Sequence, residues 1–163
     1  MWEGVLHLVP QPLNRRQQLG ADLLVALAPA ARARGLIGTY ETQLYRPGFE
    51  DSDYRVPDLL FSGPEQRKHR GVPGGAELVI EIRSPGDESD AKVPFYVEMG
   101  RQEILNVDRD TLRMDLCAQG ERLPAADGYD LASLGVRIER ISGPERLAVT
   151  WQGETAVITP FTG

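Results

Sequence analysis

The segment 76–83, Ala-Glu-Leu-Val-Ile-Glu-Ile-Arg, constrains the fold of this chain more than any other part of its sequence. Its centre is apolar and rich in β-branched residues, which is typical of a strand that is covered on both faces. Covered strands of this kind occur in sheets that have helices packed against them. The segment therefore predicts a central sheet flanked by helices, in a chain whose 163 residues are the size of one domain.

The segments around it predict an α/β or α+β domain with a mixed central sheet. A strand is expected at 5–9, followed by a helix at about 15–34, in which leucines recur at helical spacing. A second helix should begin near Ser89 or Asp90, either of which could cap it, and end at Gly100. Its start is constrained by Pro94, because proline is tolerated in the first helical turn. The other expected strands are 37–45, 56–62, 103–108, 112–118, 136–140, 147–151 and 156–159.

Composition limits the classes of function. Cys117 is the only cysteine, which excludes a disulfide within the chain and argues against a cysteine-based zinc site. No apolar run approaches the ~20 residues that a membrane span needs, and no signal peptide is evident, so a soluble cytoplasmic protein is expected. The net charge of -6 argues against tight, non-specific DNA binding, which depends on neutralising phosphates. It is compatible with a nuclease whose acidic groups gather around metal ions.

Two acidic residues are candidates for metal chemistry. Glu81 lies within the apolar segment, where burying a carboxylate costs on the order of several kcal/mol unless it is compensated. Asp58 follows Pro57 at the start of a neighbouring apolar segment, and two carboxylates on adjacent strands can hold Mg²⁺. Structural roles remain open at this point. Asp58 could accept backbone hydrogen bonds, Glu81 could pair with Arg83 on the same face of the strand, and Lys92 could be a solvated surface residue.

An ordered set of motifs resembles the Uma2 family, a branch of the PD-(D/E)XK nuclease-like proteins. The set comprises Val-Pro-Asp at 56–58, the glutamate segment ending in Ser-Pro at 84–85, Lys92 and Tyr96 one helical turn apart, and a glycine before a strand that ends in Asp108. The resemblance covers about residues 1–116. It implies a restriction endonuclease-like fold in a single domain, 1–163, with a β-rich C-terminal extension from about residue 119.

The resemblance also implies a metal-dependent DNA endonuclease that hydrolyses phosphodiester bonds. Asp58 and Glu81 would bind Mg²⁺ or Mn²⁺, with the backbone carbonyl of Ile82 as a further ligand. Lys92 would orient the attacking water or stabilise the transition state, and Arg83 would contact phosphate or pair with Glu81. DNA is the expected partner.

Two departures from the family pattern keep an alternative open. Arg83 stands where the usual motif places a lysine, and arginine does not easily deprotonate a water. A histidine that many relatives carry near Asn14 is absent. With the acidic net charge, the missing lysine supports a catalytically inactive nuclease-like binding or assembly module. An enzyme that works only inside a larger complex would also fit, and the apolar tail at 147–161 could form a homodimer interface.

Overall fold

The computed structural model describes residues 14–100 and 103–160. The strand predicted at 5–9 lies outside the described residues. Within them the chain forms two α-helices and thirteen strands, together with a short 3₁₀ turn at Pro64–Gln66. In chain order these elements are α1 (Asn14–Ala33), β1 (Ile37–Tyr40), β2 (Leu44–Tyr45), β3 (Tyr54–Arg55), β4 (Leu59–Ser62), β5 (Val72–Pro73), β6 (Leu78–Arg83), α2 (Ser89–Met99), β7 (Glu103–Asp108), β8 (Met114–Ala118), β9 (Glu121–Arg122), β10 (Gly128–Leu131), β11 (Val136–Ile141), β12 (Arg146–Trp151) and β13 (Glu154–Ile158).

The largest sheet of the described chain is mixed, which confirms the predicted fold class. Its strand order is β1-β4-β6-β7-β8-β9. The neighbours β6 and β7 are parallel and are connected through α2, whereas the other pairs are antiparallel. The parallel pair requires a crossover, and α2 supplies it. This connection places α2 against the middle of the sheet, beside the glutamate of β6.

The central strand β6 is covered on both faces, as its sequence predicts. Ile80 and Ile82 belong to a buried cluster with Leu23 of α1, on one face of the sheet. Val79 belongs to a second cluster with Phe95 of α2, on the other face. Because side chains alternate along a strand, Glu81 shares the face of Val79 and therefore points towards α2.

A separate four-stranded antiparallel sheet follows, with the order β10-β11-β12-β13. Its apolar side chains, including Leu131, Ile138 and Leu147, join the same buried cluster as α1. The strand β10 was not predicted, because Tyr129 and Leu131 are its only buried side chains and they form too short an alternation to stand out. Within the described residues, no helix is long and apolar enough to cross a membrane.

The helix α2 begins at Ser89, as predicted, but its cap differs from the prediction. The helix begins at Ser89 and Glu88 occupies the capping position without a side-chain cap, so the expectation that Ser89 or Asp90 caps it is wrong. The carboxylate of Asp87 accepts a hydrogen bond from the Ser89 N–H at 3.0 Å and thereby satisfies one free donor of the first turn. Pro94 lies inside α2, beyond its first turn.

Candidate active site

The fold brings Asp58 and Glu81 close together on adjacent segments. The strands β4 and β6 are antiparallel with Leu59 opposite Ile80, so Asp58, which precedes β4, lies near Glu81, which follows Ile80 in β6. Asp58 is held from two sides. Its carbonyl accepts the Glu41 N–H at 3.1 Å, and its Oδ2 accepts the Ile82 N–H at 2.7 Å. The two acids therefore lie on neighbouring segments, and their joint binding of a metal stays a prediction.

Glu81 is a fully buried acid with two partners on α2. The side chain has no solvent exposure. Lys92 Nζ lies 3.2 Å from each of its carboxylate oxygens, and the Tyr96 hydroxyl donates to Oε1 at 2.5 Å. Burial raises the pKa of Glu81 to about 7, and the charge of Asp58 adds to the rise, although Lys92 and Tyr96 oppose it. The carboxylate therefore lies in a site that compensates its charge only in part.

Lys92 is fixed at the site rather than solvated. Its Nζ donates to the carbonyl of Val56 at 3.0 Å as well as to Glu81, and its side chain is only 15% exposed. Since Val56 precedes Asp58 by two residues, Lys92 connects α2 to the segment that carries the second acid. The alternative of a surface lysine is therefore wrong.

A residue that the sequence analysis did not identify, Arg16 of α1, makes three hydrogen bonds with the carboxylate of Asp58. Its Nε and Nη2 donate to Oδ1 at 3.1 and 3.0 Å, and Nη2 also donates to Oδ2 at 2.9 Å. Nη1 lies 3.4 Å from Asp87 Oδ2. Burial tends to lower the pKa of Arg16, but Asp58 and Asp87 outweigh that effect and raise it above its usual value. The guanidinium therefore stays charged.

The sequence contains a signal that could have identified Arg16. It precedes Leu19, Leu23 and Leu27 by three, seven and eleven residues, so it lies on the face of α1 that packs against the sheet. A charged residue on an apolar helical face requires a buried partner of opposite charge. The sequence therefore indicates that a partner exists, although it does not identify Asp58 as that partner.

Arg83 does not form the predicted ion pair with Glu81. Its Nη2 lies 2.7 Å from Asp90 Oδ1 and 2.5 Å from Asp115 Oδ2, so that prediction is wrong. The physical reason is that Lys92 of α2 packs over Glu81 and provides its cation, while the Arg83 side chain extends towards β8. A contact between Arg83 and phosphate stays a prediction.

A cleft of about 270 Å³ opens beside Asp58, whose side chain is 16% exposed. The residues that line it with Asp58 are Arg16, Gln17, Gly20, Tyr40, Glu41 and Ile82. In residues 14–100 and 103–160, no group of three or more histidine, cysteine, aspartate or glutamate side chains is arranged to hold a metal ion. A metal at this site would depend on two carboxylates together with backbone, water and substrate oxygens. That ligand set suits Mg²⁺, which commonly takes only one or two protein carboxylates.

The mixed sheet and the α2 crossover between its parallel strands define an α+β protein with a nuclease-like fold. A solved structure described as a "putative nuclease belonging to DUF820", from Anabaena variabilis, has this fold. It superposes with a TM-score of 0.59 at 16% sequence identity, covering 72% of this chain and 69% of the other. The chain belongs to the Uma2 family, whose model, described as "Putative restriction endonuclease", matches residues 1–153. No curated protein matches it at a significant level.

Proposed function

We propose that this protein is a metal-dependent endonuclease that hydrolyses phosphodiester bonds in DNA, with Asp58 and Glu81 as the metal-binding carboxylates. The observation that carries the proposal is the environment of Glu81. This acid is fully buried, it lies on the strand that pairs with β4, which Asp58 directly precedes, and its pKa is raised to about 7. A divalent cation between the two carboxylates would supply the missing compensation, and Mg²⁺ or Mn²⁺ prefers such oxygen ligands.

The backbone of Ile82 supports a further ligand. Its N–H bonds to Asp58 on the side where β4 lies. In a strand the N–H and C=O of one residue point to the same side, so the Ile82 carbonyl also points to the β4 side of β6, where Asp58 lies. Ile82 also lines the adjacent cleft. When bound at these oxygens, a divalent cation activates water and stabilises the charge that develops on a phosphate.

Lys92 and Tyr96 have distinct roles in the proposed reaction. Lys92 is held between Glu81 and the Val56 carbonyl, which keeps its ammonium group in place to orient the attacking water or to stabilise negative charge on the phosphate. Tyr96 donates to Oε1 of Glu81 and so fixes the orientation of that carboxylate. Arg83 pairs with two other acids and is not needed to hold Glu81.

One observation favours a second candidate function, that of a catalytically inactive nuclease-like module. The guanidinium of Arg16 already bonds to both carboxylate oxygens of Asp58. If this ion pair is permanent, Asp58 is a structural residue and the site binds no metal. The protein would then act by binding a partner through the retained fold.

Calorimetric titration with Mn²⁺ separates the two candidates. The samples are the unaltered protein, Asp58→Asn, Glu81→Gln and the control Asp130→Asn. Asp130 lies on the separate sheet with its side chain 80% exposed. The endonuclease predicts Mn²⁺ binding and plasmid nicking that are lost in the first two variants and retained in the control. A folded, unaltered protein that binds no Mn²⁺ would refute the endonuclease and favour the module.

A further inference from the structure

The hydrogen bonds of Asp58 leave its carboxylate without capacity for a metal. An ionised carboxylate has about four acceptor positions. Here Oδ1 accepts two bonds from Arg16, and Oδ2 accepts one from Arg16 and one from the Ile82 N–H. Coordination of a cation by Asp58 therefore requires that at least one bond to Arg16 is released. The other partner of Asp58, the N–H of Ile82, is part of the backbone of β6 and is harder to move than the Arg16 side chain.

Release of Asp58 requires the Arg16 side chain to change position, because the guanidinium does not lose its proton. Its pKa is held above an already high value, so it stays positive at neutral pH, and its charge repels a divalent cation. The backbone of α1 is anchored by Leu19 and Leu23, which are almost fully buried. A change of side-chain rotamer is then the available route. The guanidinium has two places to go, namely Asp87, which it already contacts, and the cleft that it lines.

We propose that Arg16 is the resident counter-ion of the metal site and becomes a phosphate ligand when a divalent cation binds. It holds Asp58 until the cation arrives, then turns away from Asp58 into the cleft, and there binds a phosphate of the DNA substrate. The planar guanidinium suits both positions, because it makes the same two-pronged bonds to a carboxylate and to a phosphate. This inference rests on the proposed endonuclease function, and it reconciles that function with the observed ion pair.

The first test measures Mn²⁺ affinity by calorimetry in the absence of DNA. Arg16→Gln removes the competing charge and should bind Mn²⁺ at least tenfold more tightly than the unaltered protein, and Arg16→Lys should lie between them. Arg140→Gln is the matched control. Arg140 is 16% exposed, against 15% for Arg16, and it also pairs with two carboxylates, Asp127 and Glu145, but in the separate sheet. Its Mn²⁺ affinity should be unchanged.

The results distinguish this inference from the proposed function. Equal, measurable affinities of the unaltered protein and Arg16→Gln would overturn the counter-ion role and leave the endonuclease standing. Absence of Mn²⁺ binding in both folded proteins would overturn the endonuclease and the inference with it. Binding by Arg16→Gln alone would overturn both, because Arg16 would then block the site permanently, as the inactive module requires. Circular dichroism on each sample establishes that the variants are folded.

The second test examines the phosphate role through DNA binding, measured by fluorescence anisotropy with a labelled duplex. In Ca²⁺, which supplies a hard cation while cleavage is avoided, Arg16→Gln should bind the duplex at least fivefold more weakly than the unaltered protein. In a chelator the two should bind equally, because Arg16 is then held by Asp58. A loss of the same size in both conditions, or none in Ca²⁺, would overturn the phosphate role, since a purely structural arginine would not contribute in a metal-dependent way.

Discussion

Replacement of Glu81 by glutamine should remove a pH dependence of stability that the native protein carries. The ordinary pKa of this side chain is 4.5, and burial raises it to about 7 in the folded state. The folded protein therefore holds a proton that the unfolded chain releases. The stabilising contribution is complete below about pH 4.5 and is lost as the pH rises through about 7. Glutamine resembles the protonated acid and does not titrate.

The size of the effect follows from the two pKa values. Each pH unit between them corresponds to about 1.4 kcal/mol, so a rise from 4.5 to about 7 corresponds to about 3 kcal/mol. No reduction for solvent screening applies, because Glu81 has no exposed surface. As the pH rises from 4 to 8.5, the unaltered protein should therefore lose about 3 kcal/mol of its free energy of unfolding, and Glu81→Gln should not show this loss.

Urea-induced unfolding, followed by tryptophan fluorescence in the presence of a chelator, measures this difference at each pH. Groups remote from Glu81 titrate alike in the two proteins, so their contributions cancel. Glu154→Gln is the matched control, because Glu154 is exposed at the start of β13, and its free energy of unfolding should run parallel to that of the unaltered protein. If Glu81→Gln also ran parallel within about 1 kcal/mol, the reasoning about a partly compensated buried acid would be refuted.

Three further predictions concern the surroundings of the site. Tyr96→Phe removes the donor to Glu81 and should lower the free energy of unfolding at pH 8 by about 1–3 kcal/mol, measured in urea; an unchanged value would contradict the role of this bond. Gly75→Ala would place a Cβ 1.9 Å from the carbonyl oxygen of Gly100 and should cost about 1–3 kcal/mol or more; calorimetry showing an unaltered melting temperature would contradict the close approach. Cys117 is 6% exposed and burial raises the pKa of its thiol, so iodoacetamide should label it slowly in the native protein and rapidly in urea; equal rates would show that the thiol is accessible.

Much of the fold was predictable because its main elements carry strong local patterns. The helix expected at about 15–34 is observed as α1 at Asn14–Ala33, and the strand that contains Glu81 is observed as β6 at Leu78–Arg83. The first has leucines at helical spacing, and the second has a continuous apolar run rich in β-branched residues. The strands β2, β3 and β5 have two residues each, too few to show any period, and they exist only because the folded chain brings them together. Local sequence cannot specify such pairs.

The sequence by itself determined which residues had to be compensated. A glutamate inside an apolar strand and an arginine on the apolar face of a helix each require a partner, since an unpaired buried charge is too costly to keep. Only the tertiary structure decided which partners they found. The docking of α2 gave Glu81 its contacts with Lys92 and Tyr96 instead of Arg83. The docking of α1 set Arg16 against Asp58, 42 residues away. Pairings across that distance depend on how helices pack against a sheet, and no local pattern records them.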